Sequence, residues 1–164
     1  MDRSKTAFRW IVDILQKHEV PFVVTGGLAA RAYGSQRELR DIDLEVPDDQ
    51  IGKIIEDVSN HIVLGPERYK DDFFDLALLR LNYEGQEIDI SGGSEARIYD
   101  PEKEGWANDP TDFSKYESKE IFGVIVPVVQ PEDWLAYKNI SPREEDLQDI
   151  EAVKRYMAES QNIV

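Results

Sequence analysis

Gly26-Gly27-Leu28-Ala29-Ala30-Arg31-Ala32-Tyr33-Gly34-Ser35-Gln36-Arg37-Glu38-Leu39-Arg40-Asp41-Ile42-Asp43-Leu44 is the stretch on which the fold of this chain turns. A diglycine follows the short apolar run Phe22-Val23-Val24-Thr25, and thirteen residues separate it from Asp-Ile-Asp. Asp41 to Val46 alternates strictly, with acids at one parity and Ile42, Leu44 and Val46 at the other. That is the period of a half-buried strand. It puts Asp41 and Asp43 on one face, about 7 Å apart along the strand. Glycine at a strand-to-helix turn lets a phosphate come close to the backbone, and the N–H groups that begin the next helix attract anions. Two carboxylates at this spacing can share one or two magnesium ions, which in turn bind triphosphate oxygens.

Outward from that stretch, Phe8, Ile11, Val12 and Leu15 follow the helical template and predict an amphipathic helix over 4–18. Pro21 ends it, residues 22–25 read as a strand, and 28–33 as one or two helical turns. Pro47 closes the Asp-Ile-Asp strand, and Ile51, Ile54, Ile55 and Val58 predict a further helix. Phe73 to Asn82 and Glu87 to Ser91 read as strands joined through Tyr83-Glu84-Gly85-Gln86. On the second of them Asp89 sits between two isoleucines and is a third candidate carboxylate; Glu87, of the same parity, is its alternate.

Residues 92–115 carry no sustained period and read as a long loop, of the kind that is a lid, a binding loop or flexible. Trp106 within it is either a packing anchor or a base-stacking platform. Residues 116–129 predict a hairpin turning at Phe122-Gly123. Pro131 to Asn139 predicts a helix. Ser141-Pro142-Arg143-Glu144 predicts the start of another, with Ser141 as N-cap and Glu144 completing a capping box. Its buried stripe is expected to run through Leu147, Ile150, Val153 and Met157. Asp146 falls inside that stripe, which is costly for an unpaired carboxylate and predicts a partner in Lys138 or Arg143. The class is α+β with a mixed sheet, in one domain spanning 1–164 with the C-terminal helices 131–158 packed on it.

Composition narrows the chemistry. The chain has no cysteine and only His18 and His61, which excludes thiolate sites and argues against an ordinary zinc centre. No apolar run approaches the roughly 20 residues of a membrane span, and no apolar h-region follows Met1 to Lys5, so a cytoplasmic protein without a membrane partner is expected. The net charge of −15 opposes a broad nucleic-acid platform.

Taken in order, Val24-Thr25-Gly26-Gly27, the spacer, Asp41-Ile42-Asp43-Leu44 and Asp89 resemble the polymerase-beta-like nucleotidyltransferase superfamily. Arg37-Glu38-Leu39-Arg40-Asp41 looks like the Arg-x-Thr-x-Asp approach of its minimal and toxin–antitoxin-associated branches. Lys138, Arg143, Asp146 and Asp149 are similar to the helical Lys…Arg…Asp-x-x-Asp segment of those branches. The resemblance spans roughly residues 20–155.

It implies a nucleotidyltransferase fold, a mixed sheet backed by helices, in which a hydroxyl attacks the α-phosphate of a nucleoside triphosphate and pyrophosphate leaves. Asp41 and Asp43 would hold two magnesium ions, and Asp89 the ion that activates the hydroxyl. Gly26, Gly27, Arg37, Arg40 and Lys138 would contact the nucleotide, with ATP the expected substrate. The acceptor could be a small molecule, a protein side chain or an RNA end, a long RNA being the least compatible with the charge. Gly-Gly in place of Gly-Ser and Leu39 in place of threonine each remove a hydroxyl offered to phosphate. They keep open a second reading, a non-catalytic nucleotide-binding protein or a toxin–antitoxin component with a partner protein. A metal-dependent glycosyltransferase, which also uses Asp-x-Asp, is a third reading for which the chain is short.

Overall fold

The computed structural model describes residues 2–161; Met1 and residues 162–164, the ends of the span expected to form one domain, lie outside the described residues. Helix α1 (Arg3–Lys17) is capped by Asp2, whose carboxylate accepts the Ser4 and Lys5 amides. Its apolar face, Phe8, Ile11, Val12 and Leu15, is completely buried. Strand β1 (Val23–Thr25) leads directly into helix α2 (Gly26–Ala32). After the polar loop comes strand β2 (Asp41–Val46), where buried and partly buried residues alternate as its sequence requires. A 3₁₀ segment, Asp48–Ile54, then runs into the single turn α3 (Ile55–Val58) and a second 3₁₀ turn, Ser59–His61. The apolar spacing there predicted one helix; Gly52 in its middle is a poor helix former, and the chain takes tighter turns that still bury Ile51, Ile54 and Val58.

The remaining strands are β3 (Ile62–Lys70), β4 (Phe74–Tyr83), β5 (Gln86–Gly92), β6 (Arg97–Asp100), β7 (Gly105–Asn108), β8 (Glu117–Ile121) and β9 (Val124–Val128). Among the described residues nine strands form one mixed sheet in the order β7-β6-β4-β5-β2-β1-β9-β8, with β3 also paired to β4. Strand β3 has no signature in the sequence. It is an exposed strand with register shifts around Gly65-Pro66, so nothing forces alternation on it. Strands β6 and β7 correct the expectation of an irregular 92–115. Each is four residues long, too short to show a period; they pair with each other, and β6 also pairs with the first residues of β4. Trp106, on β7, packs edge-on against Tyr99 with the Lys70 ammonium 4.8 Å over its ring.

Two helices close the chain, α4 (Pro131–Ile140) and α5 (Asp146–Gln161). Helix α5 begins four residues later than its sequence predicts. Ser141 ends α4 instead of capping α5, and residues 142–145 form a turn. The Asp146 carboxylate reaches back to the Arg143 amide (2.9 Å) and to the Lys138 ammonium (3.1 Å), which fixes where the helix starts. This choice also sets the rotation of α5: Asp146 and Asp149 face inward with Ile150 and Val153, while Leu147, expected in the buried stripe, is 57% exposed.

Ile42, Leu44 and Val46 of β2 and Ile88 and Ile90 of β5 bury against the face carrying α1, in a core shared with Phe8, Ile11 and Leu15. The acids of the same strands therefore face the other side. Trp134 of α4, fully buried, joins the helical end to the diglycine turn, its indole N–H donating to the Gly26 carbonyl at 3.0 Å. Trp134→Phe removes that donor and part of a filled volume, so it is expected to destabilise the fold by about 2–3 kcal/mol. A urea midpoint shifted down at unchanged m-value checks this.

Candidate functional site

Strand β2 pairs with β5 in parallel, in the register Asp41↔Glu87, Asp43↔Asp89 and Glu45↔Ser91. Two period-2 acidic patterns thus lie side by side on one face of the sheet. They floor a cavity of about 430 Å³ walled by the Gly26-Gly27 turn, by Tyr137 and Lys138 of α4, and by the loop arginines Arg37 and Arg40. All the residues named from the sequence line this one cavity: Asp41, Asp43, Asp89, Gly26, Gly27, Arg37, Arg40 and Lys138.

Their relations differ from the simplest expectation. Asp41, Glu87 and Asp89 each offer a carboxylate oxygen within 4.8 Å of the other two. Glu87, the alternate, is therefore inside the acidic cluster together with Asp89. Asp43 lies beside it, against Gly26. At Gly26 φ is +62°, and a Cβ there would collide with the Asp43 carboxylate, so the glycine is needed both for the turn and for the carboxylate packed on it. Arg37 lies close to Gly27, where an added Cβ would be 2.9 Å from its guanidinium.

Charge on the floor is poorly compensated. Burial, followed by the charges of Asp41 and Asp89, pushes the Asp43 carboxyl well above its ordinary value. Burial and Asp89 raise Asp41 in the same way, and burial and Asp89 raise Glu87. Farther along β2, burial also raises Glu45, whose carboxylate accepts the Thr111 hydroxyl. Like charges gathered in a partly buried cleft favour a cation. The donor set is all oxygen, from carboxylates, which suits magnesium or manganese and not a thiophilic metal. The residues present therefore fit a divalent ion.

The cations on the wall are held by the first turn of α5. Lys138 pairs with Asp146 (3.1 Å), whose other oxygen accepts the Arg143 amide, which is the partner expected for a carboxylate in that stripe. Burial works against the charged Lys138 ammonium, but the Asp146 carboxylate helps keep it above its ordinary value. Burial alone would raise Asp146; the Arg143 amide and the Lys138 charge outweigh it and hold the carboxyl low. Arg37 makes a forked contact through Nε and Nη2 to Asp149 (2.9 and 2.8 Å), which also accepts the Ser35 hydroxyl. Arg40 pairs with Glu145 at 3.1 Å, in an exposed position.

Sequence reasoning missed Arg80. It stands opposite Asp89 across the β4–β5 hairpin, with Nε 2.7 Å from Oδ1 and Nη2 3.0 Å from Oδ2. The signal was available. A two-residue turn at Glu84-Gly85, both at positive φ, pairs Tyr83 with Gln86 and hence Arg80 with Asp89. Glu45, of the same parity as Asp41 and Asp43, and Tyr137, next to Lys138, also line the cavity and were not singled out.

A sequence model of the aminoglycoside-2″-adenylyltransferase family matches residues 7–153. No curated protein matches the chain. Among solved structures, a candidate nucleotidyltransferase from Thermotoga maritima is similar at 24% identity and TM-score 0.70, covering 97% of this chain and 96% of its own. The lincosamide antibiotic adenylyltransferase LnuA, in a lincomycin-bound structure, is similar at 18% identity and TM-score 0.63, covering 95% and 98%. ANT(2″)-Ia, in complex with adenylyl-2″-tobramycin, is similar at 17% identity and TM-score 0.59, covering 96% and 91%. At these identities the likeness establishes the fold, an α+β nucleotidyltransferase fold. The described residues contain no helix long and apolar enough to cross a membrane.

Asp146→Asn leaves the Lys138 ammonium buried without its counter-charge and is expected to cost about 3 kcal/mol at neutral pH. Because the folded carboxyl titrates below its ordinary range, its contribution is complete above about pH 4 and is lost as pH falls through the depressed folded value. The variant is therefore expected to lose less stability than the parent on acidification below about pH 4. Thermal unfolding of both proteins across that range checks the sign.

Proposed function

Because the chain belongs to the aminoglycoside-2″-adenylyltransferase family, we propose that it transfers the nucleoside monophosphate of ATP to a hydroxyl of a small-molecule acceptor, releasing pyrophosphate. The observation that carries this reading is the convergence of Asp41, Asp43, Glu87 and Asp89 on one cavity floor, beside the Gly26-Gly27 turn and within reach of Lys138. Asp41, Asp43 and Asp89 are the residues that would hold magnesium. A bound divalent ion supplies Lewis-acid neutralisation of the phosphate oxygens and lowers the pKa of the attacking hydroxyl.

The chain's own groups do the positioning. The diglycine makes room for the Asp43 carboxylate and the Arg37 guanidinium at the head of α2, and Lys138, fixed by Asp146, presents a charge toward the phosphates. Arg37, held by Asp149, borders the same turn with a guanidinium that its partner keeps in one orientation. The acids not engaged with metal in this scheme, Glu45, Asp71 and Asp109 among them, line the same cavity and suit an acceptor that carries ammonium groups. An amine-bearing, polyhydroxylated molecule of the aminoglycoside type meets both requirements. The acidic surface favours such an acceptor over an RNA end.

Incubation with magnesium, each labelled triphosphate in turn, and a panel including tobramycin and lincomycin tests the proposal. Pyrophosphate release is expected with ATP, together with an acceptor product heavier by one AMP. Asp43→Asn is expected to lower turnover by more than about a hundredfold, beyond the loss typical of a residue supporting a metal ligand. If no triphosphate binds or turns over with any acceptor, the proposal fails.

A further inference from the structure

Arg80 has no part in the reaction as described so far, yet it sits in the middle of the acidic floor. Its guanidinium makes a forked contact with both oxygens of Asp89, at 2.7 and 3.0 Å. The same Nε lies 3.5 Å from Oε1 of Glu87. Both contacts are fixed by the β4–β5 register, which sets Arg80 directly across from Asp89 and Asn82 across from Glu87. The two acids differ in surroundings: the Asp89 side chain is 13% exposed, that of Glu87 43%.

A carboxylate offers about four lone-pair sites, and a forked arginine takes one on each oxygen. Asp89 is thus half used, and a divalent ion approaching it meets a positive charge already in contact. From this we infer that Arg80 is an internal counter-cation which competes with the metal for Asp89, and that Glu87 is the partner to which it shifts when the metal binds. The inference rests on the metal site proposed above. It assigns the acids of β5 separate roles, Asp89 to the metal and Glu87 to the displaced guanidinium. The shift is short, since Nε already lies between the two carboxylates and only the side chain need rotate. Without metal, Arg80 neutralises the most enclosed acid of β5 and keeps the floor from repelling itself apart. With metal, it leaves Asp89 and lowers the charge that Glu87 adds to the cavity.

Manganese binding, measured by titration calorimetry without nucleotide, tests the exchange. Arg80→Gln is expected to bind Mn²⁺ about tenfold more tightly than the parent, the scale on which one adjacent unit charge shifts an ionic equilibrium. In chelator its melting temperature is expected to fall, and to recover more on adding Mn²⁺ than the parent's rises. Glu87→Gln is expected to weaken Mn²⁺ binding in the parent background but to have no effect in the Arg80→Gln background, because Glu87 acts through Arg80. Should Arg80→Gln not fold, Arg80→Lys, which keeps the charge but loses the fork, is expected to shift the affinity in the same direction by less.

Equal or weaker Mn²⁺ binding by the Arg80 variant overturns the inference. So does a Glu87→Gln loss that persists undiminished in the double variant, which would make Glu87 a direct ligand. If the parent and Arg80→Gln both fail to bind Mn²⁺, it is the metal site that fails.

Discussion

The parallel pairing of β2 with β5 is the constraint from which the rest of the site follows. Each strand carries acids at one parity and large aliphatic residues at the other. Pairing them in parallel and in register lets Ile42, Leu44, Ile88 and Ile90 share one buried face with α1, and it leaves no other place for the acids than the opposite face. A slip of one residue would drive carboxylates into the core, so burial of the isoleucines enforces the crowding of Asp41, Asp43, Glu87 and Asp89. The hydrophobic core thereby stabilises an arrangement that electrostatics alone would disperse.

That crowding explains the pattern of cations around it. Arg80 answers the floor from within the sheet. Lys138, Arg37 and Arg40 approach from the walls, each already paired with an acid from the start of α5 or the turn before it: Asp146, Asp149 and Glu145. Such pairing costs the wall some of its net positive charge. In return, long and flexible side chains acquire fixed positions, and a fixed charge need not reorganise when a phosphate arrives. The exposed Arg40–Glu145 contact contributes little to stability, whereas Lys138–Asp146 and Arg37–Asp149, each with a buried carboxylate, decide how α4 and α5 sit on the sheet.

Much of this is legible in the sequence wherever a residue's environment is set by its own strand or helix. The alternation of Asp41 to Val46 gives the face of every residue in β2, and the apolar spacing of Phe8 to Leu15 gives α1. The match of a family model to residues 7–153 bears out the superfamily resemblance drawn from the diglycine, the Asp-Ile-Asp strand and the later strand acid. Legibility fails where a partner decides. Leu147 looks buried by periodicity, but Lys138 and Arg37 pull Asp146 and Asp149 inward and turn Leu147 out. Ser141 looks like a helix cap, but the Asp146 carboxylate accepts the Arg143 amide and the Lys138 ammonium, which ties down the turn before α5 and delays the helix to Asp146. Strands β6 and β7 exist because β4 runs on past β5 and offers its first residues to pair with, a fact held in β4 and not in residues 97–108. Arg80 is the intermediate case, deducible from turn geometry once the hairpin register is worked out, and invisible to a search for motifs.

The acidity of the chain and the acidity of the cavity bear on one another. A net charge of −15 repels a free triphosphate at long range, and the floor repels it at contact. On the proposed reaction, a triphosphate carrying a divalent ion meets a weaker barrier, because the ion reduces its charge and is the species the floor attracts. An amine-bearing acceptor is drawn by the same field without any such help. One charge distribution thus favours the metal-bound form of one substrate and the cationic form of the other. The positive side chains at the cavity are confined to a few points, where, on that proposal, they would meet phosphate oxygens without reversing the field that draws both substrates in.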